Sequence, residues 1–131
     1  MARIVQKFGG TSVANIECIK NAAQLAKMEY DAGNQVVVVV SAMAGVTNQL
    51  VDYVNQVDGK LDPKEYDVVV STGEQSNAGL MALAIKNLGL KSRSWLGWQI
   101  PIQTDAIHGK SRIINVSTKS LRNVCLMVKL P

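Results

Sequence analysis

The sequence predicts an α/β fold, a three-layer sandwich in which a mostly parallel sheet carries helices on both faces. Three observations lead there. Strand-like and helix-like segments alternate from the N-terminus, the pattern of β-α-β units with right-handed crossovers. The five valines Val36–Val40 run without polar alternation, as in a strand buried on both faces of a parallel sheet. Finally, glycines and polar residues gather just after the strand-like segments, where open α/β sheets hold their ligands.

Each element has its own signal. Arg3 to Phe8 reads as the first strand and is broken by Gly9 and Gly10. Asn15 is the N-cap of a helix whose apolar positions Ile16, Ile19, Ala23, Ala26 and Tyr30 recur at helical spacing, and Gly33–Asn34 stops it. Gln35 to Ala42 is the second strand. Gly45 to Asn48 turns the chain into a second amphipathic helix carrying Leu50, Val51, Val54 and Val57. Asp58 to Tyr66 reads as a polar loop. Val68–Val70 is too short for periodicity to separate strand from helix. From Gly73, the residues Leu80, Met81, Ala84, Ile85 and Leu88 mark a helix that ends at Gly89. Lys91–Leu96, Ile100–Gln103 and Arg112–Val116 read as strands, and Thr118–Met127 as a helix.

Composition narrows the function. With 131 residues and 47% hydrophobic side chains, the chain is one domain or part of a larger one, and it is not a disordered polymer. Its valine run is far short of the roughly 20 residues a membrane span needs. The start MARIVQKFGG lacks the apolar stretch of a signal peptide. Two cysteines, Cys18 and Cys125, read as reduced thiols, so a cytoplasmic setting with no membrane is expected. Residues 1–85 carry a net charge of −3 and residues 86–131 a net +7. The basic residues of the second part are scattered, and Trp95 and Trp98 do not interleave with them as stacking platforms would. No nucleic-acid partner is therefore expected, and an anionic small molecule suits the charge better.

Four segments could carry chemistry. In Lys7-Phe8-Gly9-Gly10-Thr11-Ser12, two glycines let the backbone approach a ligand, their N–H groups favour an anion, and a lysine and two hydroxyls stand beside them. An ordinary strand-to-helix turn with a surface lysine would use the same residues. In Ser41-Ala42-Met43-Ala44-Gly45-Val46-Thr47, small side chains leave room at the end of a strand, and a helix start offers free donors. Thr47 also suits a simple N-cap. In Ser71-Thr72-Gly73-Glu74, the glutamate either complements a helix dipole or orients a cationic group such as an ammonium. In Thr104 to Arg112, the arginine can clamp a carboxylate through two parallel hydrogen bonds. His108, the single histidine, has no cysteine or carboxylate at metal-ligand spacing, so no metal site is expected in this chain. No activated serine or cysteine nucleophile can be assembled.

Taken in order, KFGGTSV at Lys7–Val13, VVVVVSAMAGVTNQL at Val36–Leu50, VVVSTGEQ at Val68–Gln75 and TDAIHGKSRI at Thr104–Ile113 resemble the motifs of the aspartokinases. The resemblance runs from the first residue to about residue 120. It implies an amino-acid-kinase-like sheet and ATP-dependent phosphorylation of the aspartate side-chain carboxylate, the first step toward lysine, threonine and methionine. It also implies roles. Lys7 would contact the transferring phosphoryl group, and Phe8, Gly9, Gly10 and Ser41 would hold the ATP phosphates. Thr11, Ser12, Gly45, Thr47, Glu74 and Arg112 would bind aspartate, Glu74 through its ammonium and Arg112 through its α-carboxylate. Lys7 and Glu74 are the candidate catalytic residues. The cofactors implied are ATP and Mg²⁺, and the partners L-aspartate and a second subunit, in a homo-oligomer or with a full-length aspartokinase. Such chemistry fits the absence of an activated base in the motifs, because a carboxylate acceptor is already ionised at pH 7.

Residues 1–131 are expected to be the N-terminal part of a kinase domain without the regulatory ACT domains, with little activity alone. Two alternatives stand beside this reading. One is a non-catalytic remnant that associates with an intact subunit, the other a related kinase acting on glutamate.

Overall fold

The computed structural model describes residues 1–57, 62–100 and 102–116. Strand β1 spans Arg3–Phe8 and is followed by one 3-10 turn, Gly10–Val13. Helix α1 spans Ile16–Asp31, strand β2 Gln35–Val40, and helices α2, α3 and α4 Val46–Val57, Pro63–Val70 and Thr72–Asn87. Two short strands complete the order, β3 at Ile102–Thr104 and β4 at Ile113–Val116. The expected α/β architecture is present. β1 and β2 pair in parallel, in register from Arg3 opposite Gln35 to Phe8 opposite Val40, with α1 as the crossover that a parallel pair requires.

Local signals explain the boundaries. Asn15 caps α1, its side chain accepting from the Cys18 amide at 2.9 Å. Gly33 follows the end of the helix at φ +83°, a conformation that favours glycine. α3 begins inside the expected polar loop. There Asp62 accepts from the Lys64 amide at 2.9 Å and Pro63 takes the first helical position, where a missing N–H costs nothing. Val68–Val70 is the last turn of that helix.

Alternate residues of the sheet face opposite ways. Phe8, Val38 and Val40 pack against the buried core of Val13, Ile19, Ala22, Ala23 and Met81, to which α1 and α4 both contribute. On the other face Val5 is 63% and Val39 45% exposed. The valine run is therefore not buried on both sides as its composition suggests, because α1 and α4 both lie against the face of Phe8 and Val40. β2 also ends at Val40, two residues before the expected Ala42.

The region after α4 departs further from expectation. Lys91–Leu96 forms no strand. Its side chains are drawn into local contacts instead. The Ser92 hydroxyl donates to the Ala82 carbonyl at 2.6 Å, and the Arg93 guanidinium lies 4.2 Å over the Trp95 ring. The following strand is Ile102–Thr104 rather than Ile100–Gln103, since Leu96 to Ile100 is closed into a turn by Gln99. β3 pairs antiparallel with β4, which begins at Ile113. The helix expected over 118–127 lies outside the described residues.

Candidate functional site

The glycines after β1 and the small residues after β2 meet at the carboxyl ends of the two strands. The Ser41 amide donates to the Phe8 carbonyl at 3.2 Å, continuing the pairing one step past the sheet. A Cβ on Gly10 would sit 3.4 Å from the Ala42 carbonyl oxygen, so the two segments pass in van der Waals contact. A Cβ on Gly9 would lie 3.6 Å from the Lys7 ammonium nitrogen. Lys7 thus curls over Gly9, and charge and bare backbone lie together as an anion cradle needs. Phe8 packs into the core and anchors this turn, and its side chain is committed to that packing. Thr11 and Ser12 are exposed within the 3-10 turn, where the Ser12 amide donates to the Gly9 carbonyl at 3.0 Å.

The second and third segments are packed against each other by Gly73. It is buried, and a Cβ there would approach Ala42 Cβ to 3.0 Å, Val46 Cγ1 to 3.3 Å and Leu50 Cδ1 to 3.4 Å. Glycine lets the first turn of α4 pass this close to the end of β2 and the start of α2 without its neighbours having to give way. Glu74 follows immediately, exposed in that first turn. Gly45, at φ +82°, turns the chain into α2, and Thr47 lies inside the first turn of that helix rather than capping it.

Three polar residues do work that the sequence reading did not assign. Asn77 is 1% exposed and donates from Nδ2 to the Ser41 carbonyl at 2.5 Å. It thereby ties α4, one turn past Glu74, to the end of β2. An asparagine on the apolar side of a helix was the available signal. Asp105 accepts from the Ile107 and Arg112 amides, each at 3.2 Å, and closes the loop between β3 and β4. An aspartate opening a polar loop is a common sign of such a turn. Asp67 on α3 accepts from the Gly109 amide at 3.1 Å and meets His108 Nδ1 at 3.2 Å.

Arg112 is exposed at the end of that loop. The structure therefore joins the first three segments by direct contact and brings the fourth to α3 through Asp67. Beside them, a groove of about 990 Å³ runs along β2, walled by Val36–Val40, by Ser71 and α4 as far as Ile85, and by Leu90–Trp98, with Glu74 among its lining residues. Among the described residues no group of three His, Cys, Asp or Glu side chains gathers as a metal site. Nor is any described helix long and apolar enough to cross a membrane.

Comparison with known proteins agrees with this architecture. The aspartokinase of Rickettsia felis is 48% identical over the whole chain, which covers 33% of that protein. The aspartate kinase of Pseudomonas putida is 45% identical over 93% of the chain and 30% of its own length. The chain thus spans about a third of the length of these relatives. Among solved structures, aspartate kinase from Synechocystis superposes with a TM-score of 0.62 at 45% identity, over 64% of this chain and 14% of that one. E. coli aspartokinase III, solved in complex with lysine and aspartate, gives a TM-score of 0.67 over 94% of this chain and 37% of its own, and at 20% identity it speaks to the fold alone. The model of the amino acid kinase family matches residues 2–129, and with strand ends, glycine turns and sheet pairing arranged as described, this chain belongs to that family.

Proposed function

We propose that these residues form the aspartate- and phosphate-binding part of an aspartokinase, which transfers the γ-phosphoryl group of ATP to the side-chain carboxylate of L-aspartate. The observation that carries this reading is the contact of Gly10 with Ala42 beside the Lys7 ammonium, a positively charged cradle at the carboxyl end of a parallel sheet. The 48% identity to an aspartokinase over the whole chain supports the choice of substrate.

The chemistry asks little of covalent catalysis. The acceptor oxygen is already anionic, so the task is to bring two anions together and to neutralise charge as it shifts. Lys7 meets the transferring phosphoryl group. The backbone from Phe8 to Gly10, with Ser41, holds the phosphates of ATP. Glu74 takes the aspartate ammonium and Arg112 its α-carboxylate, while Thr11, Ser12, Gly45 and Thr47 line the space between. Mg²⁺ would neutralise phosphate charge, although the described residues gather no carboxylate set to hold it. The protein works in the cytoplasm, at the entry to lysine, threonine and methionine synthesis, in an assembly of two or more subunits.

Isothermal calorimetry of the intact chain with L-aspartate, L-glutamate and Mg-ATP tests this. Saturable binding of aspartate in preference to glutamate supports the reading. Preference for glutamate would move the chain to a neighbouring substrate, and binding of none of the three would reduce it to a non-catalytic module.

A further inference from the structure

The loop between β3 and β4 is a small closed unit. Asp105 Oδ1 accepts from the Ile107 and Arg112 amides. The Asp105 amide donates to the Arg112 carbonyl at 3.1 Å. The Ser111 hydroxyl donates to the Ile107 carbonyl at 2.7 Å. These bonds make 105–112 move as one piece, so that whatever holds its tip also holds Arg112.

The tip is held by one carboxylate. Asp67 Oδ2 takes the Gly109 amide at 3.1 Å and lies 3.2 Å from His108 Nδ1. Gly109 stands at φ +73°, and a Cβ there would come within 3.8 Å of Pro63 Cβ. The loop tip therefore rests on the first turn of α3 while Asp67 grips it from the side. Among the described residues, every hydrogen bond from this loop to the helices ends on Asp67. β3 and β4 are exposed along their whole length, so apolar packing of the hairpin does not replace that grip.

Asp67 is also close in sequence to the other half of the aspartate contact. α3 ends at Val70 and passes through Ser71 directly into the first turn of α4, where Glu74 sits. We infer that Asp67 is a positioning residue for aspartate binding: by holding Gly109 and His108 it fixes the loop that carries Arg112 relative to the α3–α4 junction that carries Glu74. The inference rests on the reading of Arg112 and Glu74 as the residues that take the substrate. Without the grip, Arg112 would have to be ordered at the moment of binding, and that entropy would be lost from affinity.

The test compares Asp67→Ala, Asp67→Asn, Asp67→Leu and Arg112→Ala in the intact chain by amide hydrogen exchange at Gly109 and by calorimetry with L-aspartate. Asp67 is partly exposed on the helix surface, so Asp67→Ala is expected to fold. Its Gly109 amide should exchange roughly tenfold faster, because its acceptor is gone, and it should bind aspartate about tenfold more weakly. Asp67→Asn keeps an acceptor oxygen and should restore both toward wild type, whereas Asp67→Leu, which keeps bulk without an acceptor, should behave as Asp67→Ala. Unchanged exchange at Gly109 in Asp67→Ala overturns the inference, since exchange is read without any ligand. Faster exchange with wild-type aspartate affinity overturns it too, provided Arg112→Ala abolishes binding. If Arg112→Ala itself binds as wild type, the underlying reading of the site falls and the positioning role falls with it.

Discussion

The side chain of Asn77 donates to the carbonyl of Ser41 at 2.5 Å from a position that is 1% exposed. One hydrogen bond thus joins the helix that bears Glu74 to the strand end that faces the glycine turn. Replacing Asn77 with alanine leaves the part-buried Ser41 carbonyl without its donor. The expected cost is about 1–3 kcal/mol, read as a lower urea midpoint with an unchanged slope. Aspartate, close in size but without a donor, should not recover the lost bond.

Two glycines of the same helix should respond in opposite directions. At Gly73 a methyl group would come to 3.0 Å from Ala42 Cβ, whereas at Gly79 nothing lies within 4 Å. Gly73→Ala is expected to destabilise by about 1–3 kcal/mol through overpacking. Gly79→Ala should stabilise by about 0.5–1 kcal/mol, because alanine loses less backbone freedom in a helix. Thermal unfolding of the two variants side by side checks both signs.

Lys7 is exposed on β1, so its removal should leave stability nearly untouched. Lys7→Ala should weaken Mg-ATP binding by roughly tenfold or more, the loss of one charge-assisted contact to phosphate, with an unfolding midpoint within a degree or two of wild type. A large drop in the midpoint would assign Lys7 to structure instead.

The N-cap of α1 gives a control at a side chain outside the proposed ligand contacts. Asn15→Ala removes the bond to the Cys18 amide and should cost about 1 kcal/mol while leaving aspartate affinity unchanged, as measured by denaturation and calorimetry on one preparation.

Where local chemistry decides the structure, the sequence could be read directly. β1, the Asn15 cap, the Gly33 stop and the helix from Gly73 to Gly89 all rest on residues whose conformational preferences act over one turn. The motifs after β1 and β2 were legible for the same reason, since each is a strand end followed by glycine or small residues, whereas Val68–Val70 before Gly73 is the last turn of α3. Reading failed where a side chain is claimed by a distant partner. Lys91–Leu96 reads as a strand, yet Ser92 is taken by Ala82 on α4, and Arg93 turns back on Trp95. The start of α3 was hidden in a polar loop although Asp62-Pro63 carries a cap and a first-turn proline. Asp67 and Asn77 gain their roles only when residues about 40 positions apart in the chain are brought together, and periodicity carries no trace of that.

The central claim is that the strand ends and the first turn of α4 form one site for an amino-acid substrate. Its most direct test is a calorimetric titration of L-aspartate into the wild-type chain and into Glu74→Gln, a change that keeps size and removes charge on an exposed side chain. The account predicts saturable binding by the wild type and at least a roughly tenfold weaker affinity for Glu74→Gln, with the same unfolding midpoint. Equal affinity in the two proteins would contradict it.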